Sequence, residues 1–195
     1  QLAVGATEEI LAIFGEENWG EAVAKIQEKI DALTIDQETK IKYSLVDETG
    51  LANMDMIEAV MTLPEQMTTY YNLIEEDGSI NVQSLADYIA TIPESKLMSL
   101  GLYTNGELDW NKFQAIYELD DEVIKKFGLQ KADGTMDLDV LAQMIAGMDE
   151  EKLIDIGVAD EAGVVDIEKF VEYIIKMETE KQITFLADSS QADEV

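Results

Sequence analysis

Glycine recurs along this chain at Gly50, Gly78, Gly106, Gly134 and Gly163, at intervals of 28, 28, 28 and 29 residues. A short supersecondary unit of that length cannot hide its apolar face alone, so such a period signals stacked repeats. Further columns agree around each glycine. Three residues later stands Asn53, Asn81, Asp109, Asp137 or Asp166, and four later Met54, Val82, Trp110, Leu138 or Ile167. Ile57, Leu85, Phe113, Leu141 and Phe170 occupy the seventh place after the glycine, and Val60, Tyr88, Ile116, Met144 and Tyr173 the tenth.

The columns read as a turn feeding a helix. An Asp or Asn before an apolar run is an N-cap, its side-chain oxygen accepting from a free amide of the first turn. Apolar residues one, four and seven places past the cap form a single helical stripe. Each helix runs into a second start signal at Pro64, Pro93, Asp120, Asp149 or Glu178. Proline suits the first turn of a helix and acids suit its positive end. The second, shorter helix closes at Gly101, Gly128 and Gly157, which read as left-handed C-caps, with Ser44 and Asn72 in the same place earlier.

The expected fold is therefore all-α: tandem helical-hairpin repeats of about 28 residues forming a curved solenoid-like array. We expect a single repeat domain over 1–187, with an N-terminal cap at 1–42 and copies at about 43–71, 72–99, 100–127, 128–155 and 156–187. The cap reads as a short helix at Thr7–Gly15 and a degenerate copy at Gly20–Leu33, and Glu178–Leu186 reads as a closing helix. The polar stretch 188–195 is expected to be disordered. A chain starting at Gln1 is expected to be a processed product or an excised piece, with any targeting segment outside it.

Composition narrows the function. The 195 residues carry 42 acids against 13 bases, a net charge of −29, and every base is lysine. With no His or Cys, there is no imidazole base, thiol nucleophile, disulfide or zinc-type ligand set. Without arginine there is no bidentate clamp for phosphate or carboxylate. So negative a surface repels nucleic-acid backbones and anionic lipid and favours cationic partners. It also leads us to expect crowded carboxylates with raised pKa values. No apolar stretch approaches the roughly 20 residues of a membrane span.

The turns resemble the second half of EF-hand or dockerin calcium loops, most closely at Asp133-Gly134-Thr135-Met136-Asp137. Such loops need oxygen ligands at positions 1, 3 and 5 and a bidentate Glu at 12. With Gly134 in the sixth place, positions 1 and 3 are Leu129 and Lys131, and position 12 in the five copies is Met56, Ser84, Lys112, Val140 or Lys169. We therefore read Gly50, Asn53, Gly78, Asn81, Gly106, Asp109, Gly134, Asp137, Gly163 and Asp166 as structural turn and cap residues. No metal or cofactor ligand is assigned, and loose surface calcium binding through net charge stays open.

Met54, Met136, Met144, Met148 and Met177, of nine methionines, fall on the apolar columns and read as core rather than as a calmodulin-like groove. Trp110, Phe113, Phe170, Tyr88 and Tyr173 do likewise, whereas Tyr103 and Tyr70 are candidates for exposed contact. Close carboxylate pairs arise everywhere by density alone, and none leaves its repeat column, so no catalytic residue is assigned and the chain is not read as an enzyme.

Gly134-Thr-Met-Asp-Leu-Asp-Val-Leu-Ala-Gln-Met-Ile145 and Met148-Asp-Glu-Glu-Lys-Leu153 resemble the extracytoplasmic inserts of FtsX-like ABC transporter permeases from Gram-positive bacteria. The resemblance implies a domain at the cell surface that senses a substrate or meets a partner, and it carries over no functional residue. Both lines lead to one expectation: a non-enzymatic extracytoplasmic interaction or sensing module, binding a protein or a cationic ligand. The alternatives are an acidic DNA-mimic decoy and a free-standing cell-surface scaffold.

Overall fold

The computed structural model describes residues 18–117, 119 and 121–176. The expectations for Thr7–Gly15, Asp120, Met177, Glu178–Leu186 and 188–195 lie outside the described residues. The described chain is mostly helical. In order, the helices are α1 (Trp19–Ala32), α2 (Gln37–Lys42), α3 (Met54–Thr62), α4 (Glu65–Tyr70), α5 (Val82–Thr91) and α6 (Glu94–Ser99). After the two-residue strands β1 (Tyr103–Thr104) and β2 (Glu107–Leu108) come α7 (Trp110–Tyr117), α8 (Asp121–Phe127), α9 (Leu138–Ala146), α10 (Glu150–Asp155) and α11 (Ile167–Lys176). The chain divides into two compact units: the described residues of Gln1–Ile92 with Thr104–Gln114, and those of Pro93–Tyr103 with Ala115–Val195.

Helix follows helix through one recurring turn. A left-handed residue ends the short helix at Ser44 (φ 48°), Asn72 (53°), Gly101 (67°), Gly128 (63°) and Gly157 (75°). The chain then doubles back in a miniature hairpin, bridged at Val46–Ala52, Ile74–Ile80, Gln130–Met136 and Ala159–Val165, and by β1 with β2. In four turns the glycine amide closes a tight turn on the carbonyl three residues back, as Gly78 does on Glu75 at 2.9 Å. Gly78 itself takes φ 81°, a conformation costly for any residue with a Cβ. The turn between β1 and β2 is one residue shorter and places both Asn105 (φ 56°) and Gly106 (φ 88°) in the left-handed region. Asn-Gly is the pair such a two-residue hairpin prefers.

The longer helices bury the seventh-place column completely: Ile57, Leu85, Phe113, Leu141 and Phe170 are all 0% exposed. Two expected core residues differ. Met54 is half-buried because Met56, Ile57 and Val60 already fill the inward face of α3. Tyr173 is half-buried because the inward stripe of α11 runs through Ile167, Phe170, Val171 and Ile174. The prolines sit one place earlier than expected, at the cap of α4 and α6 rather than inside the first turn. There the Pro64 and Pro93 carbonyls accept the first helical hydrogen bonds.

In the first unit α1 packs on α5 and α2 on β2. Two polar side chains of α1 fasten the neighbouring turns. Gln27 accepts from the Ala52 amide at 2.6 Å and donates to the Gly50 carbonyl at 3.3 Å. Lys29 donates to Ser79 Oγ and pairs with Glu75, each at 2.8 Å. An aromatic series runs from exposed Tyr70 through Tyr71 and Tyr88 to Phe113 and Trp110, successive ring centroids 4.1 to 6.3 Å apart. Offset and edge contacts of this kind add about 0.5–1.5 kcal/mol each beyond area burial. In the second unit α6 packs on α9, with an ion pair between Lys96 and Asp139.

Candidate functional site

The cap residues are placed by the hairpin that precedes them. The amides of Asn53, Asn81, Asp137 and Asp166 donate to the carbonyls of Leu45, Leu73, Leu129 and Val158, at 2.7 to 3.0 Å. Each side chain is thereby held at the mouth of the next helix. Asn53 Oδ1 accepts from Asp55, Asn81 from Ser84, Asp109 from Lys112 and Asp166 from Lys169. Asp137 accepts from both Asp139 and Val140, at 3.0 and 3.3 Å. Caps also form at Asp36 and Asp149 on the short helices α2 and α10.

A second set of carboxylates stitches the turns. Asp77 and Asp133 accept from the amide and hydroxyl of Ser79 and Thr135. Asp47 sits two places earlier and accepts from Thr49 and from the Leu51 amide, while Asp160 accepts from Ala162 and Val164. At Asp47, Asp77 and the cap residue Asp36 such bonds favour the ionised form. The Thr49 hydroxyl holds the Asp47 carboxyl below the usual range, the Ser79 hydroxyl does the same for Asp77, and the Thr39 amide for Asp36. Crowding had led us to expect upward shifts. Local hydrogen bonding outweighs like-charge repulsion at these three because they stand at the surface, where water screens the neighbours.

The first unit also contains a polar depression of about 300 Å³ at the N-termini of α3 and α7. Glu48, Asp55, Glu107 and Asp109 line it, with Ser44 and Trp110 among the lining residues, and no lysine does. Trp110 is 2% exposed, and its indole N–H donates to the Tyr43 and Ser44 carbonyls at 3.1 and 3.2 Å. That fork fixes the indole and joins the end of α2 to the start of α7. Asp109 Oδ2 accepts from Thr104 at 2.9 Å and lies 3.9 Å from the Lys112 ammonium.

Of the residues singled out in the sequence, the depression brings together Asn53 and Asp109. Gly50, Gly78, Asn81, Gly106, Gly134, Asp137, Gly163 and Asp166 stay in their own turns. Ser44, Glu48, Asp55 and Glu107 had carried no functional signal, because what joins them is a contact across more than 60 residues of chain. Tyr70 is exposed, whereas Tyr103 is half-buried. Among the described residues no three Asp or Glu side chains converge as a metal cage would need. Nor is any helix there long and apolar enough to cross a membrane. No protein-family model matches the chain, and no solved structure matches its fold.

Proposed function

We propose that the chain is a non-enzymatic extracytoplasmic interaction or sensing module, such as the soluble domain of a transporter permease, whose partner is a protein or other ligand carrying positive charge. We further propose that its recurring hairpins are tandem repeats of about 28 residues stacked as a curved solenoid-like array. One observation supports the reading above others. An Asp or Asn side chain caps the longer helix in every copy, and four of the five preceding turns close in the same way, the β1–β2 turn being one residue shorter. The remaining acids, on a chain of net charge −29, make a field that attracts cations and repels anions.

A lysine-rich protein such as a histone tail peptide tests the partner class. Binding measured at rising sodium chloride should weaken steadily, as expected for screened charge. A chain that ignores cationic partners even at low salt contradicts the proposal. Competition by duplex DNA for a natural partner would instead favour the decoy alternative. Small-angle scattering tests the array, which should give an elongated or crescent particle.

A further inference from the structure

We propose that the aromatic series of the first unit is a one-electron relay, carrying oxidation from the buried indole of Trp110 out to the exposed phenol of Tyr70. The chain has no Cys, so no thiolate takes up oxidising equivalents, and its Trp and Tyr rings are the groups that give up single electrons. Ring centroids stand 5.4 Å apart from Trp110 to Phe113 and 6.3 Å from Phe113 to Tyr88. They stand 4.1 Å apart from Tyr88 to Tyr71 and 4.8 Å from Tyr71 to Tyr70. All five rings belong to one compact unit. Exposure rises along the oxidisable rings: Trp110 is 2% exposed, Tyr88 7%, Tyr71 half-buried and Tyr70 54%.

The chemistry of the two ends sets the direction. An indole that has lost an electron is a strong oxidant while it keeps its N–H proton and a weaker one after the proton leaves. The Trp110 N–H donates to the Tyr43 and Ser44 carbonyls, at 3.1 and 3.2 Å. Backbone carbonyls accept hydrogen bonds but do not take protons at neutral pH, so the oxidised indole keeps its proton and its pull on an electron. A phenol, by contrast, sheds its proton as its electron leaves, and at exposed Tyr70 water receives it. The electron vacancy therefore settles on Tyr70. Phe113 is too hard to oxidise to be a stop and bridges Trp110 to Tyr88.

The oxidant that fits is a neutral peroxyl radical. Trp110 borders the polar depression, whose carboxylates repel anionic radicals. The peroxyl takes one electron from Trp110 and a proton from water, becoming a hydroperoxide. Trp110 recovers an electron that reaches it from Tyr70 through Tyr71, Tyr88 and Phe113, and the Tyr70 phenol proton passes to water. The Tyr70 phenoxyl then takes an electron and a proton from a diffusible thiol or small phenol. One electron and one proton thus move from reductant to oxidant, and no bond of the chain is altered at the end. The cycle spares the indole, whose N–H joins the end of α2 to the start of α7.

Laser photoionisation of tryptophan in the full chain, with the ejected electrons scavenged, tests the relay by transient absorption. The phenoxyl band should grow at the rate at which the tryptophan radical decays, independent of protein concentration. Tyr71→Phe and Tyr88→Phe keep each ring and remove the oxidisable phenol, and each should slow the growth several-fold. Trp110→Phe should cut the growth to the part that Trp19 supplies. Tyr70→Phe should leave the radical on half-buried Tyr71, where added dithiothreitol quenches it several-fold more slowly. Tyr43→Phe and Tyr173→Phe, off the series, should leave the rate unchanged, with circular dichroism confirming the fold of each variant. A rate that scales with protein concentration, or growth undiminished in Tyr71→Phe and Tyr88→Phe alike, would overturn the relay. So would a Tyr43→Phe variant that slows it, because the electron would then come from a ring outside the series.

Discussion

The carbonyl oxygen of Val165 stands where the first side-chain carbon of residue 101 would go: a Cβ built on Gly101 would lie 2.0 Å from it. Gly101 ends α6, and Val165 lies in the hairpin before α11, so the left-handed end of a short helix presses on a later turn. In the first unit Ser44 holds the corresponding place at the end of α2, and its carbonyl receives the indole of Trp110 just past the β1–β2 hairpin. Each unit thus joins a helix end to a turn more than 60 residues on.

Gly101→Ala and Gly128→Ala separate that contact from backbone strain. Both glycines have positive φ, 67° and 63°, but around Gly128 nothing lies within 4 Å of an added Cβ. Gly128→Ala should cost about 1–2 kcal/mol, the left-handed penalty alone. Gly101→Ala should cost about 1–3 kcal/mol more, because backbone at Val165 must move. Chemical denaturation of both variants checks the difference, and equal losses would mean that the close approach relaxes freely.

Acid should act through the turn carboxylates. Asp36, Asp47 and Asp77 have pKa values lowered by hydrogen bonds in the folded chain. A depressed folded-state pKa gives stability that is complete above the unfolded value, about 3.9, and is lost as pH falls through the lower folded one. Melting temperature should therefore decline below about pH 4. Asp77→Asn keeps an acceptor oxygen toward Ser79 and should shrink that decline, whereas an unchanged acid profile would place the titrating groups elsewhere.

Salt should act in the opposite sense to the usual surface ion pair. Twenty-nine net negative charges repel one another, and pairs such as Lys176–Glu172, 3.1 Å apart but largely exposed, contribute little. Raising sodium chloride to about 0.3 M shortens the Debye length to well under 10 Å, so the melting temperature should rise, with potassium chloride giving the same curve. A falling curve would mean that lysine pairs outweigh the repulsion.

How far the sequence could be read depended on the reach of each interaction. The Asp137 cap bonds span two and three residues and the hairpin bond from its amide to Leu129 spans eight, so spacing and residue type alone point to them. Helical character is legible for the same reason, since Ile57, Leu85, Phe113, Leu141 and Phe170 recur on one stripe. The depression is not local. Ser44 meets Trp110 across 66 residues, and no periodic signal tells which copy faces which. Tyr173 shows the finer limit: its column is apolar, yet Val171 and Ile174 take the inward positions of α11.

The central claim is that the recurring turns are hydrogen-bonded clasps, leaving the acidic surface for a partner rather than for a structural ion. Thermal unfolding of the wild type and of Asp137→Ala, each with excess calcium and with chelator, tests it most directly. Asp137 holds two amides at the start of α9, so its loss should cost about 0.5–2 kcal/mol, or about 2–4 °C per kcal/mol for a chain of this size. The account predicts that drop in both buffers and a wild-type melting temperature that ignores calcium. A wild type that folds only with calcium, or a variant whose deficit vanishes in chelator, would contradict it.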